Sequence, residues 1–228
     1  MLVLVGKGTR VQRYLVGLPK SYRVGVQLGV TSTTGDPTGE LTPTGARAGE
    51  AAVREALGRL TGEIRQQVPA FSAVKVEGVR LYRRARAGEE VERPVRIVHI
   101  ERLELAQFDE ATQTGEIVVE CSSGTYVRQL VADLGELCGT GAHCTTLERT
   151  RVGPFTLAGS DAERLMPLSE ALGFLPERRL SGDEAAAVRN GRAVEDGATG
   201  PVRLTFEGAL LAVALERDGM LRPETVVA

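Results

Sequence analysis

The sequence predicts an α+β fold that ends in a small β-rich domain. Runs rich in β-branched residues, such as Glu116–Cys121, are typical of strands, whereas apolar residues recur at helical spacing over Val53–Leu60. After Pro176, three short strand candidates follow one another with glycine-containing turns between them. The length of 228 residues is sufficient for one large domain and a small appendage, which agrees with this division.

The first expected element is a buried strand at Leu2–Val5. A helix is expected to follow it, with an inner face formed by Val11, Tyr14 and Leu15. A core strand normally has partners on both sides, and chain termini normally begin with a polar lead-in. We therefore expect that part of this domain precedes Met1.

The middle of the chain alternates between strand and helix signals. Residues Ser21–Val30 alternate apolar and polar side chains, as a half-buried strand does, and the loop Thr31–Glu40 is rich in turn residues. The apolar spacing predicts a helix over Arg47–Leu60 and a short basic helix over Val79–Ala87. Residues Val91–Leu105 predict either a pair of strands or one long bent strand.

The stretch Cys121–Leu137 predicts a strand end, a tight turn and a helix that begins at once. Gly124 can adopt a positive φ in the turn, and apolar residues recur at helical spacing from Tyr126 onward. Tyr126 and Arg128 would thus lie at a strand-to-helix corner and point into a cleft. They suit a ring that stacks on a base and a guanidinium that pairs with a carboxylate or phosphate. A packed tyrosine and a solvated arginine would explain the same residues.

After this corner, the sequence predicts a strand over Leu147–Val152 and a helix over Ala162–Leu172. Ser181 and Glu184 then form a capping arrangement at the start of a short helix. The strand candidates of the tail are Val202–Phe206, Leu210–Leu215 and Met220–Val227. The tail is therefore expected to form a compact β-rich unit.

Charge is distributed unevenly along the chain, although the formal net charge is only −2. The near-neutral total excludes a globally basic nucleic-acid-binding protein, so any contact with nucleic acid must come from local patches. One basic cluster contains Arg80, Arg83, Arg84, Arg86, Arg93 and Arg96. Such a cluster is typical of a nucleic-acid-facing side, and it is equally compatible with a solvated face that ion pairs hold in place.

The cysteines Cys121, Cys138 and Cys144 are odd in number, which argues for free thiols in a reducing compartment. The opening run MLVLVG is too short for a signal peptide, and no apolar run reaches membrane-spanning length. We therefore expect a soluble cytoplasmic protein without a membrane partner. Cys138, His143 and Cys144 lie close together but match no common zinc spacing, so we expect no metal.

Four long stretches of the chain follow one another in a specific order. The first is VGKGTRVQRYLVGLPKSYRVGVQLGVTSTTGDPTGE, which contains Tyr22, and the second is LTGEIRQQVPAFSAVKVEGVRLYRRARAGEEVERPVRIVHI. The third and fourth are CSSGTYVRQLVADLGE and LERTRVGPF. In this order they resemble motifs of the bacterial tRNA pseudouridine synthase B family, which modifies uridine 55 in the T-loop of tRNA.

The resemblance implies a pseudouridine-synthase-like fold, with a mixed, mainly antiparallel sheet and flanking helices. It implies a catalytic domain at residues 1–160 that lacks its amino-terminal part, a connecting helix at 161–175, and a PUA-like RNA-binding domain at 176–228. The implied partner is the T-arm of tRNA, and the protein is expected to be a monomer. The family uses no metal or cofactor, and we expect none here.

The resemblance also implies roles for individual residues. Tyr22 would lie against a flipped base and take part in proton removal, and Tyr126 would line the base pocket. Arg128 would pair with the family's catalytic aspartate and keep it ionised, while Leu147 would close the pocket. The residues that would meet tRNA phosphates are Lys75, Arg80, Arg83, Arg84 and Arg86.

The family's catalytic aspartate lies in a G-x-L-D-P motif, which these 228 residues do not contain. Asp36 is interpreted as a turn former and Asp133 as a structural residue on the helix after Arg128. We therefore expect the chain itself to be inactive in pseudouridine formation, although it resembles a pseudouridine synthase, an isomerase. The alternative function is that of a non-catalytic protein, derived from the same family, that binds tRNA and assists RNA folding.

Overall fold

The protein, analysed as a computed structural model, is described at residues 2–89, 92–161, 163–195 and 198–227. Contacts divide the chain into two compact units, Gly17–Ala158 and a unit that joins Met1–Val16 to Gly159–Ala228. Each unit has its own core of buried apolar side chains. The predicted α+β fold with a β-rich carboxyl-terminal domain is therefore confirmed.

The strands in chain order are β1 (Lys20–Leu28), β2 (Val30–Ser32), β3 (Leu41–Pro43), β4 (Gly62–Gln67), β5 (Lys75–Val76), β6 (Val79–Arg80), β7 (Val95–Asp109), β8 (Thr114–Cys121), β9 (Ala142–Val152), β10 (Phe155–Thr156), β11 (Glu177–Arg179), β12 (Val194–Glu195), β13 (Pro201–Phe206), β14 (Ala209–Arg217) and β15 (Met220–Val226). The helices are α1 (Gln12–Val16), α2 (Glu50–Arg59), α3 (Leu81–Arg86), α4 (Val127–Leu137), α5 (Leu168–Ala171) and α6 (Gly182–Arg189). A 3-10 helix at Gly6–Val11 precedes α1.

The larger unit is built on a six-stranded sheet with the order β10-β9-β1-β8-β7-β4. The prediction is a mixed, mainly antiparallel sheet, and every neighbouring pair in this sheet is antiparallel. The structure also decides between the alternatives for the segment before Leu105, because β7 is one strand with two register shifts. Val91, where the predicted strand begins, lies outside the described residues.

The core of this unit lies between one face of the sheet and the helices α2 and α4. Val24 and Val26 of β1 are fully buried there, together with Leu130 and Leu134 of α4. The helical apolar spacing that begins at Tyr126 is confirmed, because that stripe forms the inner face of α4. Burial of such a stripe, rather than helix propensity, provides most of the stability of a short helix.

Helix α4 approaches β9 unusually closely at Gly135. A Cβ atom at this position would lie 2.2 Å from the backbone nitrogen of Ala142 and 2.3 Å from the carbonyl carbon of Gly141. Real side chains do not approach a backbone so closely, so only glycine permits this contact. The contact brings the last turn of α4 directly against the start of β9.

The second unit contains a five-stranded sheet with the order β11-β13-β14-β15-β12. Strands β13, β14 and β15 reproduce the three predicted strands of the tail within two residues at each end. The predicted cap of α6 is confirmed: Ser181 Oγ accepts from the Glu184 backbone N–H, and Glu184 accepts from the Ser181 backbone N–H. These bonds satisfy amide groups that the first helical turn leaves without partners.

The prediction of a buried strand at Leu2–Val5 is wrong. These residues form no strand, and Val3 and Val5 are 69% and 64% exposed. A short apolar run does not distinguish a strand from other conformations, and here the chain turns into a 3-10 helix at Gly6, which has a φ of +55°.

Residues after Gly6 pack on the carboxyl-terminal strand β15 instead. The Arg10 guanidinium donates to the Val226 carbonyl at 3.0 Å, and the Tyr14 hydroxyl lies 3.2 Å from that of Thr225. Arg13 pairs with Glu224 at 3.2 Å. Contacts group residues 2–16 with the second unit, and the predicted domain at residues 1–160 stays a prediction.

The expected helix Ala162–Leu172 is shortened to α5, which begins at Leu168. Pro167 precedes α5, and a proline disfavours helical backbone at the residue before it, which is Met166. Ala162 lies outside the described residues. Within the described ranges, no helix has the length and apolar character needed to span a bilayer.

Replacement of Gly135 tests the close contact of α4 with β9. We expect Gly135→Ala to lower the free energy of unfolding by at least about 2 kcal/mol, because the added methyl group overlaps backbone atoms. Gly58→Ala in α2 is the matched control: its Cβ would meet nothing within 4 Å, so it should stabilise the chain by about 0.5–1 kcal/mol. Urea unfolding followed by circular dichroism measures both, and equal midpoints for the two variants would contradict the packing argument.

Candidate active site

The predicted strand-to-helix corner is present at the end of β8. Gly124 adopts a φ of +85° in the turn, and the Thr125 hydroxyl donates to the Ser122 carbonyl at 3.0 Å. Tyr126 is the residue before α4, in extended conformation with φ −95° and ψ 98°. The corner therefore holds Tyr126 and Arg128 on backbone that is fixed by hydrogen bonds on the strand side and by the helix on the other.

A buried glutamine that the sequence analysis missed also fixes this corner. Gln66 of β4 accepts a hydrogen bond from the Tyr126 backbone N–H at 2.8 Å and donates to the Tyr126 carbonyl at 3.1 Å. Only 1% of Gln66 is exposed. The sequence contains no signal for this role, because two adjacent glutamines, Gln66 and Gln67, at the end of a strand indicate neither burial nor a partner.

Arg128 forms an ion pair with Asp36, with 2.7 Å between Arg128 Nη1 and Asp36 Oδ2. The other carboxylate oxygen of Asp36 accepts from the Thr34 hydroxyl at 2.8 Å and from both the backbone N–H and the hydroxyl of Thr38. Asp36 is thus a turn former, as its sequence context indicates. It is also the partner of Arg128, which the sequence analysis assigned to an aspartate outside these 228 residues.

The environment of Asp36 favours its ionised form. Burial alone would raise the pKa of the Asp36 carboxyl, but the hydrogen bonds from Thr38 and Thr34 and the charge of Arg128 together outweigh it and lower the pKa. Asp36 therefore stays a carboxylate at neutral pH. A permanently ionised, hydrogen-bonded carboxylate is suited to orienting a cation rather than to donating a proton.

Cys144 of β9 lies beside this ion pair, and its backbone N–H donates to the Gly35 carbonyl at 3.0 Å. Burial raises the pKa of the Cys144 thiol to about 12, so it is neutral and unreactive at physiological pH. The His143 ring nitrogen Nδ1 lies 3.1 Å from the Val30 carbonyl. Within the described parts of the chain, no group of three or more His, Cys, Asp or Glu residues is placed to hold a metal ion.

Tyr22 lies in β1 at the centre of the sheet, opposite Val119 of β8 and Arg149 of β9. Its ring is half-buried and packs against the core. Burial raises the pKa of Tyr22, as does the neighbouring Cys121, while a hydrogen bond and the charge of Arg149 act in the opposite direction. The phenol is therefore protonated at neutral pH, and its oxygen accepts a hydrogen bond from Arg149.

Leu147 lies opposite Val24 of β1, two positions along the ladder from the Tyr22–Arg149 pair. Val24 is fully buried whereas Leu147 is 41% exposed. The buried apolar face of the sheet therefore ends between β1 and β9. The structure thus brings Tyr22, Leu147 and Arg149 together along the β1–β9 ladder. Arg149, which the sequence analysis missed, stands in the motif LERTRVGPF and could have been found as the cross-strand partner of Tyr22.

The basic residues of the middle segment lie on the hairpin β5–β6 and on α3. Lys75, Arg80 and Arg83 line a surface depression of about 330 Å³ together with Gly78 and Val79. The pKa of the Tyr82 hydroxyl is lowered by hydrogen bonds from Arg83 and Arg80, and Arg86 lies 5.7 Å from the Tyr82 ring centre. These contacts hold several cations at one surface.

Arg84 differs from its neighbours because carboxylates already surround it. Its guanidinium lies 2.9 Å from Glu77 and 3.9 Å from Glu89, and its side chain is only 19% exposed. Such pairing leaves less of its charge available to an external phosphate. Lys75, Arg80 and Arg83 line the open depression, whereas the charge of Arg84 is largely engaged by Glu77 and Glu89.

The Asp36–Arg128 pair predicts a specific pH dependence of stability. Asp36 has a folded-state pKa below its ordinary value of 3.8, so its carboxylate stabilises the fold above pH 3.8, and this contribution is lost as the pH falls through the folded-state pKa. We expect Asp36→Asn to lower the free energy of unfolding at neutral pH by about 1–2 kcal/mol. The difference from the unchanged chain should shrink below about pH 4.

Asp133 supplies a control in which the pKa shift has the opposite sign, because burial raises the pKa of the Asp133 carboxyl. The stability that depends on Asp133 falls as the pH rises through its raised pKa, so Asp133→Asn should leave stability at neutral pH unchanged or higher. Urea unfolding between about pH 3 and about pH 7 measures both variants. A constant difference between Asp36→Asn and the unchanged chain across this range would contradict the assignment of the ion pair.

Comparison with known proteins identifies the family. Residues 1–127 match the TruB family pseudouridylate synthase (N terminal domain), and residues 128–179 match the tRNA pseudouridylate synthase B C-terminal domain. The tRNA pseudouridine synthase B of Arthrobacter sp. (strain FB24) is 39% identical over 259 residues, which cover 100% of this chain and 83% of the relative. That of Thermobifida fusca (strain YX) is 42% identical over 246 residues, which cover 100% and 84%.

Solved structures show the same fold at low sequence identity. A crystal structure of a Cbf5-Nop10-Gar1 complex contains a chain that superposes with a TM-score of 0.70 at 20% identity, over 98% of this chain and 71% of that one. An H/ACA RNP bound to a substrate RNA containing 2′-deoxyuridine gives a TM-score of 0.69 at 18% identity, over 98% and 70%. From the family matches and these relatives, we conclude that the chain belongs to the TruB family of pseudouridylate synthases, which are isomerases that modify tRNA.

Proposed function

We propose that this chain recognises the T-arm of tRNA and that its site is built for the isomerisation of uridine 55 in the T-loop. The observation that supports this most is the strand-to-helix corner, where Tyr126 stands on fixed backbone and the Arg128 guanidinium binds a carboxylate. The names of the relatives, which are tRNA pseudouridine synthases B, support tRNA as the substrate class.

The reaction exchanges one bond to the sugar for another. The bond from ribose C1′ to uracil N1 breaks, the uracil turns, and a bond from C1′ to uracil C5 forms. C5 loses a proton and N1 gains one, so the product is an isomer and no oxidant or reductant is needed. The base must first leave its stack, because the sugar and both ring atoms are otherwise inaccessible.

The residues of the site suit distinct tasks in this reaction. The half-buried Tyr22 offers its ring to the flipped base, and its protonated phenol is a hydrogen-bond donor rather than a base at neutral pH. In this proposal Tyr126, on the backbone of the corner, would line the base pocket, and the exposed Leu147 of β9 would close it. Arg128 would orient and keep ionised the carboxylate that attacks or deprotonates the sugar.

We further propose that the 228 residues alone bind the T-arm but do not isomerise uridine. No G-x-L-D-P motif occurs among them, and the carboxylate that Arg128 binds belongs to Asp36. Asp36 is held by Thr34 and Thr38 in a turn, with bonds on both carboxylate oxygens. A nucleophile or base needs a lone pair directed at the substrate, which these bonds oppose.

The proposal predicts no pseudouridine when the purified 228-residue chain is incubated with a T-arm stem-loop RNA. Digestion to nucleosides followed by mass spectrometry, with a chemical adduct specific to pseudouridine, measures the product. An intact tRNA pseudouridine synthase B of a relative is the positive control. Product formation by the chain itself would refute the inactivity, and its loss in Asp36→Asn would then identify Asp36 as the catalytic carboxylate.

The proposed phosphate contacts predict unequal effects of neighbouring cations. Lys75→Ala, Arg80→Ala and Arg83→Ala should each weaken binding of T-arm RNA and lower the salt slope by about 1. Arg84→Ala should have a smaller effect, because Glu77 already engages Arg84. Arg54→Ala, on the exposed face of α2, is the surface control. Equal losses in all five variants in a fluorescence titration would contradict a localised RNA-binding surface.

A further inference from the structure

The amide of Gln66 occupies a position where an apolar side chain is normally found. Gln66 is the buried residue of β4, and its side chain faces the core beneath the start of α4. Burial of an amide is costly unless hydrogen bonds replace those lost to water. Here both polar atoms of the amide find partners, and both partners are backbone groups of a single residue, Tyr126.

The amide and the Tyr126 backbone form a closed pair of hydrogen bonds. Tyr126 N–H donates to Gln66 Oε1 at 2.8 Å, and Gln66 Nε2 donates to Tyr126 O at 3.1 Å. The Tyr126 carbonyl also accepts the first hydrogen bond of α4, from the Leu130 N–H at 3.0 Å. Two bonds on one residue restrict both of its backbone angles, so the direction of the Tyr126 Cα–Cβ bond follows from the position of Gln66.

Helix α4 does not depend on this amide for its place in the fold. Val127, Leu130, Val131 and Leu134 bury an apolar stripe against the sheet, and Gly135 fixes the distance to β9. An apolar residue of similar size at position 66 would fill the same space without the cost of burying an amide. The feature that the amide adds is the orientation of the corner, not the attachment of the helix.

We propose that Gln66 is a positioning residue for base recognition: it fixes the Tyr126 peptide, and through it the corner from which Tyr126 meets the target uridine. This inference rests on the proposed function, because the role of Tyr126 toward a base comes from it. The chemistry recognised is a single flipped pyrimidine in an RNA loop. Gln66 itself lies in the core and does not touch the RNA.

The first measurement is independent of RNA. Amide hydrogen exchange, resolved at Tyr126 by NMR, should accelerate at least about tenfold in Gln66→Leu, because the Tyr126 N–H loses its acceptor. The exchange of amides in the centre of α4 and the midpoint of urea unfolding should change little. Gln67→Leu on the same strand is the matched control, since the exposed Gln67 bonds Arg93 and not the corner.

The second measurement is the preference for the target base. The affinity for a T-arm stem-loop RNA is compared with that for the same RNA with cytidine at the target position. Gln66→Leu should reduce the uridine preference about tenfold while the affinity for the cytidine RNA stays nearly unchanged. A merely structural role would lower both affinities together, in proportion to the unfolded fraction.

Gln66→Glu provides a rescue that depends on pH and remains informative if Gln66→Leu folds poorly. In this contact the Gln66 amide supplies one donor and one acceptor. A protonated carboxyl group also has one O–H donor and one carbonyl acceptor, whereas a carboxylate has acceptors alone. Burial raises the pKa of a carboxyl group. Gln66→Glu should therefore match the unchanged chain near about pH 5 and resemble Gln66→Leu near about pH 8.

Each result has a defined meaning. In one outcome, the unchanged chain prefers uridine while Gln66→Leu and Gln66→Glu keep the same preference at every pH. That result would overturn the role of Gln66 and leave the proposed function standing. Unchanged exchange at Tyr126 in Gln66→Leu would overturn the positioning itself. Absence of any uridine preference in the unchanged chain would overturn the proposed function, and with it the recognition role of Gln66.

Discussion

The close packing of α4 against β9 at Gly135 is the constraint on which the functional end of the larger unit depends. It holds the carboxyl-terminal end of α4 against the start of β9, and the corner with Tyr126 and Arg128 is continuous with the other end of this helix. Strand β9 in turn holds the Asp36 turn, because the Cys144 N–H donates to the Gly35 carbonyl. Both members of the Arg128–Asp36 pair are thus fixed relative to one strand, which explains why a half-exposed arginine adopts a defined geometry.

Asp36, Tyr22 and Cys144 each keep one protonation state at physiological pH because of their immediate surroundings. Hydrogen bonds lower the pKa of Asp36 in spite of burial, whereas burial prevails at Tyr22 and Cys144 and keeps both neutral. The charge near Arg128 is therefore the same across the physiological pH range. Under the proposed function, such a site would orient a substrate by permanent charges and donors, and the proton transfers would fall to groups on the substrate or to a further carboxylate.

The sequence predicts those elements whose burial follows a simple period. The stripe of α4, the cap of α6 and the strands of the tail could be found in this way, because each depends on neighbours within one turn or one hairpin. The run Leu2–Val5 could not, since four apolar residues fit a strand and an exposed segment equally well. The partners of Arg128 and Tyr126 were also missed, because Asp36 and Gln66 are distant in sequence and meet them only through the sheet.

The Arg128–Asp36 pair does not prevent Arg128 from serving a catalytic carboxylate. Asp36 retains its bonds from Thr34 and Thr38 without Arg128, so the turn survives if the guanidinium moves away. The Arg128 side chain is 47% exposed, and an ion pair so open to water contributes at most about 1 kcal/mol. The pair uses Nη1, while a guanidinium offers five N–H donors in a fork. A second carboxylate brought beside α4 would therefore compete with Asp36 on nearly equal terms, or share Arg128 with it, at little cost to the fold.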